Sequence, residues 1–442
     1  MSRPEPTPYV PLPWRTIVSV AVVMAISITV LWSIIDRFDS TDVPLDDGTP
    51  GLAVIDPTVP PADEGTPPST PLPNGPTWPE GSLPDMLNRA PDRLADGSLP
   101  LNDIARYADI AAWTRAAGIE TPTSLDDPEL GPWEESLEAL ALPANLREGA
   151  LRAPWRGTYG FDLTNVEQVL VVGQAPDYVM IMRGAFDPQA LQAAWVASGY
   201  QPVEVEGTTI WSLFPEDQVD LSAPESRPGM GTLNNVVILE DGTLISAARI
   251  SQLGAALRVA HEDDPSLAEH ADVASLLVPG TGVDMLASAV IDKGTLLQGT
   301  ATTMPSPSGT PAATPPVPGT PGVSAAMPEA RLVLLGIPVT NATPAGSPEP
   351  SPVAAPRLVM AVVVADEDAA RATRRGIEHR LATDTSPVTG EPYAARLGNV
   401  QLEVVASPDR PVVLITGDLA RGPADWLGML GDRDLGFAFW MP

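Results

Sequence analysis

PRLVMAVVVADEDAA, residues 356–370, reads in one direction as strand, cap and helix. Leu358–Ala365 is apolar at consecutive positions, which suits a strand buried on both faces. Asp366 then offers an N-cap oxygen, and Glu367 and Asp368 place negative charge in the first helical turn. Ala370, Thr373, Ile377 and Leu381 recur at helical spacing and predict the buried stripe. The stretch has an echo at residues 178–191, YVMIMRGAFDPQAL. There Asp187 is the cap, Pro188 fits the first helical position, and Phe186 can staple to Leu191. A hairpin follows each stretch, so the pair reads as a weak internal repeat of a strand–helix–hairpin unit. The expected fold class is α+β: two split-βαβ-like units with mainly antiparallel sheets covered by helices.

Turn chemistry places the neighbouring elements. Ala175-Pro176-Asp177 joins the apolar runs Val169–Val172 and Tyr178–Arg183. Glu206-Gly207 and Asp241-Gly242 are hairpin signals, the second the strongest in the chain. A helix is expected from Ser251 to about Ala260. Ser266-Leu267-Ala268-Glu269 is a capping box predicting a helix to about Leu277. Strands follow at Met285–Ile291 and Arg331–Ile337, hairpin strands at 393–406 and 411–416, and a short helix near Pro423–Leu430. Phe437–Trp440 predicts a strand or plug tied into the core. Residues 133–151 read as a helical pair interrupted at Pro143. Residues 101–119 admit two readings. One is a single helix capped by Asn102 and closed by Gly118. The other is a strand, Ile104–Tyr107, before a helix capped by Asp109.

Further out lies Thr16–Ile35, TIVSVAVVMAISITVLWSII, an uncharged run. At ~20 residues a helix spans the ~30 Å hydrocarbon core of a bilayer. Neither a small-x-small cleavage site nor a lipobox cysteine follows it, so an uncleaved transmembrane signal-anchor is expected. Arg3 and Arg15 precede it. Asp36, Asp39, Asp42, Asp46 and Asp47 follow it with Arg37 among them, which places the N-terminus inside and the C-terminal portion outside the cell membrane. The expected organisation is a cytoplasmic tail (1–15), the anchor (16–35), a Pro-rich acidic stalk (36–82) and a helical N-terminal part (83–160). Two α+β units then span 161–264 and 265–442, the second with low-complexity insertions at 302–328 and 341–356. The stalk composition suits an extended spacer at ~3.1 Å per residue. Asp42, Asp46 and Asp47 lack the spacing of a calcium loop and read as solvated linker charge.

The chain has 442 residues and a net charge of −31, which disfavours nucleic-acid binding. It has no cysteine, so disulfides, thiolate metal sites and cysteine nucleophiles are excluded. Proline and arginine usage, with Lys293 as the only lysine, suits a bacterial source. The candidate metal ligands are His261, His270 and Asp272, near Glu262, Asp263 and Asp264. HExxH spacing is absent, and a structural role for these residues is the simpler reading. His379 sits among arginines on a helix face. Asp284 and Asp292 flank one strand and could be imagined as an acid–base pair. Neither a G-x-S-x-G elbow, nor a Ser-x-x-Lys motif, nor a Walker or dinucleotide fingerprint occurs. Trp195 and Trp211 are expected in the core, while a surface cluster of Trp113, Trp133, Trp155 and Trp426 would mark a carbohydrate or protein site.

The leading expectation is a single-pass, extracytoplasmic binding or scaffold protein of a bacterial envelope. It would bind the lipid bilayer through Thr16–Ile35 and an envelope protein or wall polymer through its folded part, without a cofactor. The alternatives are a membrane-tethered hydrolase using carboxylates with a His/Asp/Glu metal site, and a sensor ectodomain acting through a partner.

Overall fold

In the computed structural model, residues 78–100, 104–174, 177–214, 231–293, 327–339, 356–386, 388–432 and 434–438 are described. The anchor Thr16–Ile35, nearly all of the stalk, most of both low-complexity insertions, Asn102 and Trp440 lie outside them.

The α+β class expected from the sequence is present, as one sheet rather than two. Among the described residues, twelve strands pair in a single sheet, and every adjacent pair is antiparallel. The first seven are β1 (Ala105–Asp109), β2 (Val166–Gln174), β3 (Asp177–Gly184), β4 (Gln201–Val205), β5 (Thr208–Ser212), β6 (Asn235–Ile238) and β7 (Leu244–Ala247). The other five are β8 (Leu286–Asp292), β9 (Leu332–Pro338), β10 (Arg357–Val363), β11 (Leu397–Val405) and β12 (Val412–Leu419). Their spatial order is β11-β12-β10-β9-β8-β1-β2-β3-β7-β6-β5-β4. The pair β1–β8 joins the halves, with Tyr107 opposite Ala289 and Ala108 opposite Ser288. Outward from that pair the halves correspond: β1-β2-β3-β7 on one side, β8-β9-β10-β12 on the other. A helix leaves β3 and another leaves β10, Pro188–Ala197 and Glu367–Thr383. Both start as their caps predict: Asp187 accepts from Gln189 N and Ala190 N, and Asp366 from Ala369 N. β10 and β11 both run antiparallel to β12, so helix Glu367–Thr383 connects two co-directional strands with a third between them.

Both faces of the sheet are buried. Alternation sends Ala108, Val169, Met180, Val290, Leu335, Met360 and Val413 to one face. Helices Ile110–Ala117, Leu130–Ser136, Ala153–Tyr159, Pro188–Ala197, Glu367–Thr383 and Asp425–Gly431 contribute to that core. Tyr107, Leu170, Val179, Ile245, Ile291, Leu334 and Ala361 face the other way, toward helices Leu83–Leu87, Ile250–Ala260 and Ala271–Leu276. Of the two readings of 101–119, the structure takes strand-then-helix. Asp109 Oδ1 accepts from Ala112 N at 2.8 Å, and Gly118 closes the helix at φ 68°.

Two elements differ from expectation. Ser266–Glu269 makes only a single 3₁₀ turn, Leu267–Glu269, because His270 adopts an extended backbone (ψ 128°) and a separate helix, Ala271–Leu276, begins there. The Ser266 hydroxyl donates to Asn88 Oδ1 instead of capping the backbone. Residues Tyr393–Arg396 form a helical turn ahead of β11. That turn serves a buried ion cluster. Arg396 contacts Asp434 and, at 2.8 Å, Asp425; Ser386 and Tyr393 donate to Asp434 at 2.7 and 3.2 Å. Asp434 is fully buried and draws the C-terminal segment inward, so that Leu435, Phe437 and Ala438 are buried as the plug reading expects.

Tryptophans 113, 133, 155 and 426 are buried rather than clustered on the surface. Trp426 Nε1 donates to Ala139 O at 2.9 Å and Trp113 Nε1 to Ser136 O at 2.9 Å, which fastens the 130–142 segment to the first face.

Two outcomes follow from the packing. Removing one partner of a buried ion pair leaves the other uncompensated, so Arg396→Ala should destabilise the protein by about 3–5 kcal/mol, read from urea unfolding of the full chain in detergent micelles. A Cβ added at Gly336 would lie 2.4 Å from Ser288 O of the neighbouring strand. Gly336→Ala should therefore abolish cooperative unfolding in the same assay, and a near-native midpoint would contradict the β8–β9 pairing.

Candidate functional site

The site lies where one end of the first seven strands meets residues 78–89. β2 and β7 begin there, β3 and β6 end there, and β5 begins there. Four inter-strand spacings make this row about 19 Å long. Residues 78–89 run past these strand ends. Gly81 allows the close approach: its φ is 77°, and a Cβ there would meet Gln168 Cδ at 2.7 Å. The Tyr107 hydroxyl donates to Gly81 O at 2.8 Å, and Leu83, Met86 and Leu87 bury themselves against the second face.

Charges of alternating sign link this segment to the sheet. Arg183, at the end of β3, contacts Glu80 and reaches Asp85 at 3.3 Å. Asp85 Oδ2 also accepts from Gly81 N at 2.9 Å and lies 3.5 Å from Arg89 Nε. Arg89 continues to the β6–β7 turn, where its Nη1 donates to Asp241 Oδ2 at 2.5 Å and Thr243 Oγ1 at 3.0 Å. Glu80–Arg183–Asp85–Arg89–Asp241 is thus one chain of ion pairs bridging 78–89 to β3 and the β6–β7 turn. Burial acts to raise the Asp241 carboxyl pKa, but hydrogen bonds from Arg89 and Thr243 outweigh it and hold the group below its ordinary value. At Asp109 burial wins: the carboxyl is raised despite hydrogen bonds from Ala112 N and Gln168.

Asp241 separates two cavities. One, about 460 Å³, is bordered by Arg115, Glu167, Gln168, Arg183 and Gly184. The other, about 820 Å³, lies between Asp85–Arg89, the β4–β5 turn, the β6–β7 turn and the end of helix Ile250–Ala260. Its wall carries Ile238, Leu239, Ile245 and Val259 together with Asp85, Glu240, Asp241, Glu262, Arg89 and His261. Two non-glycine residues with left-handed backbone shape its rim, Glu206 (φ 48°) and Glu262 (φ 62°). Arg258 ties the rim together, donating to Glu206 and Asp264 at 2.8 and 2.7 Å.

His261 therefore borders the larger cavity, 3.3 Å from Thr208 Oγ1. His270 sits at the start of helix Ala271–Leu276, and Asp272 lies 2.6 Å from Arg410 Nε. Among the described residues, no three His, Asp or Glu side chains converge on a position for an ion. Asp284 is exposed while Asp292 is fully buried at the other end of β8. The sequence reading missed Asp85, Arg89 and Arg183. It identified the Asp241-Gly242 turn without the role of its carboxylate, since that role depends on a residue 152 positions away.

Comparison with protein-family models, curated proteins and solved structures finds no match.

The two shifted carboxyls make opposite contributions to stability. Asp241, depressed in the folded state, stabilises above the ordinary value of about 3.9 and loses that stabilisation as pH falls through its lowered pKa. Asp109, raised in the folded state, gives stability that is present below the ordinary value and is lost as pH rises through its raised pKa. Asp109→Asn keeps an N-capping oxygen, so its stability relative to wild type should rise between pH 3 and 7. Asp241→Asn should show the reverse trend over acid pH. Unfolding midpoints across pH check both signs.

Proposed function

We propose that this chain is a membrane-anchored extracytoplasmic binding protein of a bacterial envelope, tethered by Thr16–Ile35, with the cleft beside Arg89 as its binding site. The observation that carries the reading is the large cleft, lined by charged and aliphatic side chains, between Asp85–Arg89 and the ends of the strands. A cavity of about 820 Å³ falls in the size range of small-ligand sites. Its guanidinium and two of its carboxylates are already held in a fixed ion-pair chain, so their orientation is preorganised before any ligand arrives. The anchor rests on the charge asymmetry and length of its sequence. Among the described residues no helix is long and apolar enough to cross a membrane, and Thr16–Ile35 lies outside them. The correspondence of β1-β2-β3-β7 with β8-β9-β10-β12 supports descent from a duplicated split-βαβ-like unit. Within this reading the binding cleft lies between the helical N-terminal part, which supplies Asp85 and Arg89, and the first unit, and its partner is an envelope protein or wall polymer reached across the stalk.

Protease added to intact spheroplasts should digest residues beyond the stalk; full protection would overturn the topology. The full chain in nanodiscs should co-sediment with isolated envelope material, and Thr208→Trp, which fills the cleft from the position beside His261, should reduce the bound fraction about tenfold, a loss of about 1.4 kcal/mol. Sedimentation unchanged by Thr208→Trp would remove the cleft from the binding reading.

A further inference from the structure

The charged groups of the larger cavity divide into those that are neutralised and those that are not. Arg89 commits its Nη1 to Asp241 and Thr243 and holds its Nε beside Asp85. Asp85 is further shared with Arg183 and Gly81 N. Glu240 and Glu262 border the same cavity, and neither carboxylate has a side-chain hydrogen bond or ion pair among the described residues. They come from different elements, the β6–β7 turn and the residue following His261 at the end of helix Ile250–Ala260. The same cavity is lined by aliphatic side chains, Leu239, Ile245 and Val259, on the side of the sheet that carries helix Ile250–Ala260. The uncompensated charge of the cavity is therefore negative, and it is set around apolar surface.

We propose that the larger cavity binds an aliphatic amine, free or carried on an envelope polymer, with its ammonium on Glu240 or Glu262 and its methylene chain against Leu239, Ile245 and Val259. The inference rests on the binding reading above and adds the ligand class. An ammonium donates up to three hydrogen bonds and suits exposed carboxylates that lack partners. An anion would meet these two free carboxylates, while the one guanidinium on the wall is already paired. A bare divalent ion lacks three convergent acidic or imidazole ligands among the described residues. An amine with an apolar stem satisfies both the charge and the aliphatic wall.

Isothermal titration of the full chain in detergent micelles with 1,5-diaminopentane tests the assignment, with 1,5-pentanediol and calcium chloride as parallel probes. The diamine should bind saturably, and the diol at least about tenfold more weakly, as expected when a charge-assisted hydrogen bond is lost. The double variant Glu240→Gln/Glu262→Gln should weaken the diamine by a similar factor. Both side chains are exposed, so its thermal midpoint should match wild type. Absence of diamine binding, equal binding of the diol, stoichiometric calcium binding, or an affinity unchanged in the double variant would each overturn the amine assignment. Those results leave the co-sedimentation measurement standing on its own, so a binding protein for a different ligand is told apart from a chain with no binding role at the cleft.

Discussion

Everything in this fold depends on the pairing of β1 with β8. Without it the strands would form two smaller sheets, each with an exposed edge. The pair is only four residues in register, yet it is covered on both sides. Ala108 and Ala287 face one core, and Tyr107 and Ala289 face the other. Small residues at the centre let the covering layers approach. The Ser288 hydroxyl donates to Tyr107 O across the pair and accepts from Ala141 N of the segment above. One hydroxyl thus links both strands of the junction to the 130–142 segment, itself tied to the C-terminal helix by Trp426. Residues separated by 181 and 287 positions are bonded in this one region. Such pairings carry a large loop-closure cost before any contact forms.

Closing the two halves into one sheet leaves only two edges among the described strands, β4 and β11, and both are protected. Pro202 in β4 lacks a backbone N–H, which suits an edge position. β11 carries a register shift between Gly398 and Gln401, with Asn399 at φ 47°. Bulges of this kind twist an edge away from further pairing. The described sheet therefore presents little template for edge-to-edge association.

Local chemistry was legible in the sequence wherever it was self-contained. The Asp187-Pro188 and Asp366 caps, the Gly118 terminus and the Asp241-Gly242 turn are each decided by a few neighbouring residues. The internal echo of the two strand–helix stretches was also visible, and it matches the corresponding positions of β3 and β10 in the sheet. What pattern could not supply was partnership. β1 is five residues long and was one of two readings of its segment. Its pairing with β2 and β8 is set by which apolar faces remain uncovered after the other strands have assembled. The break at His270 has the same character, since Ser266 forgoes its cap to bond Asn88, a residue 178 positions earlier.

The candidate site was hidden for a related reason. Its charged residues are dispersed as single Asp, Arg and Glu positions in an acidic chain, and each alone reads as surface charge. They become a site because β3 ends, β7 begins and residues 78–89 cross at one place. The ion pairs of Glu80, Arg183, Asp85, Arg89 and Asp241 hold residues 78–89 to the sheet, and three of these groups, Asp85, Arg89 and Asp241, also line the larger cavity. Under the binding reading proposed above, occupancy of the cavity and attachment of 78–89 to the sheet share one set of interactions, and by linkage whatever strengthens one favours the other.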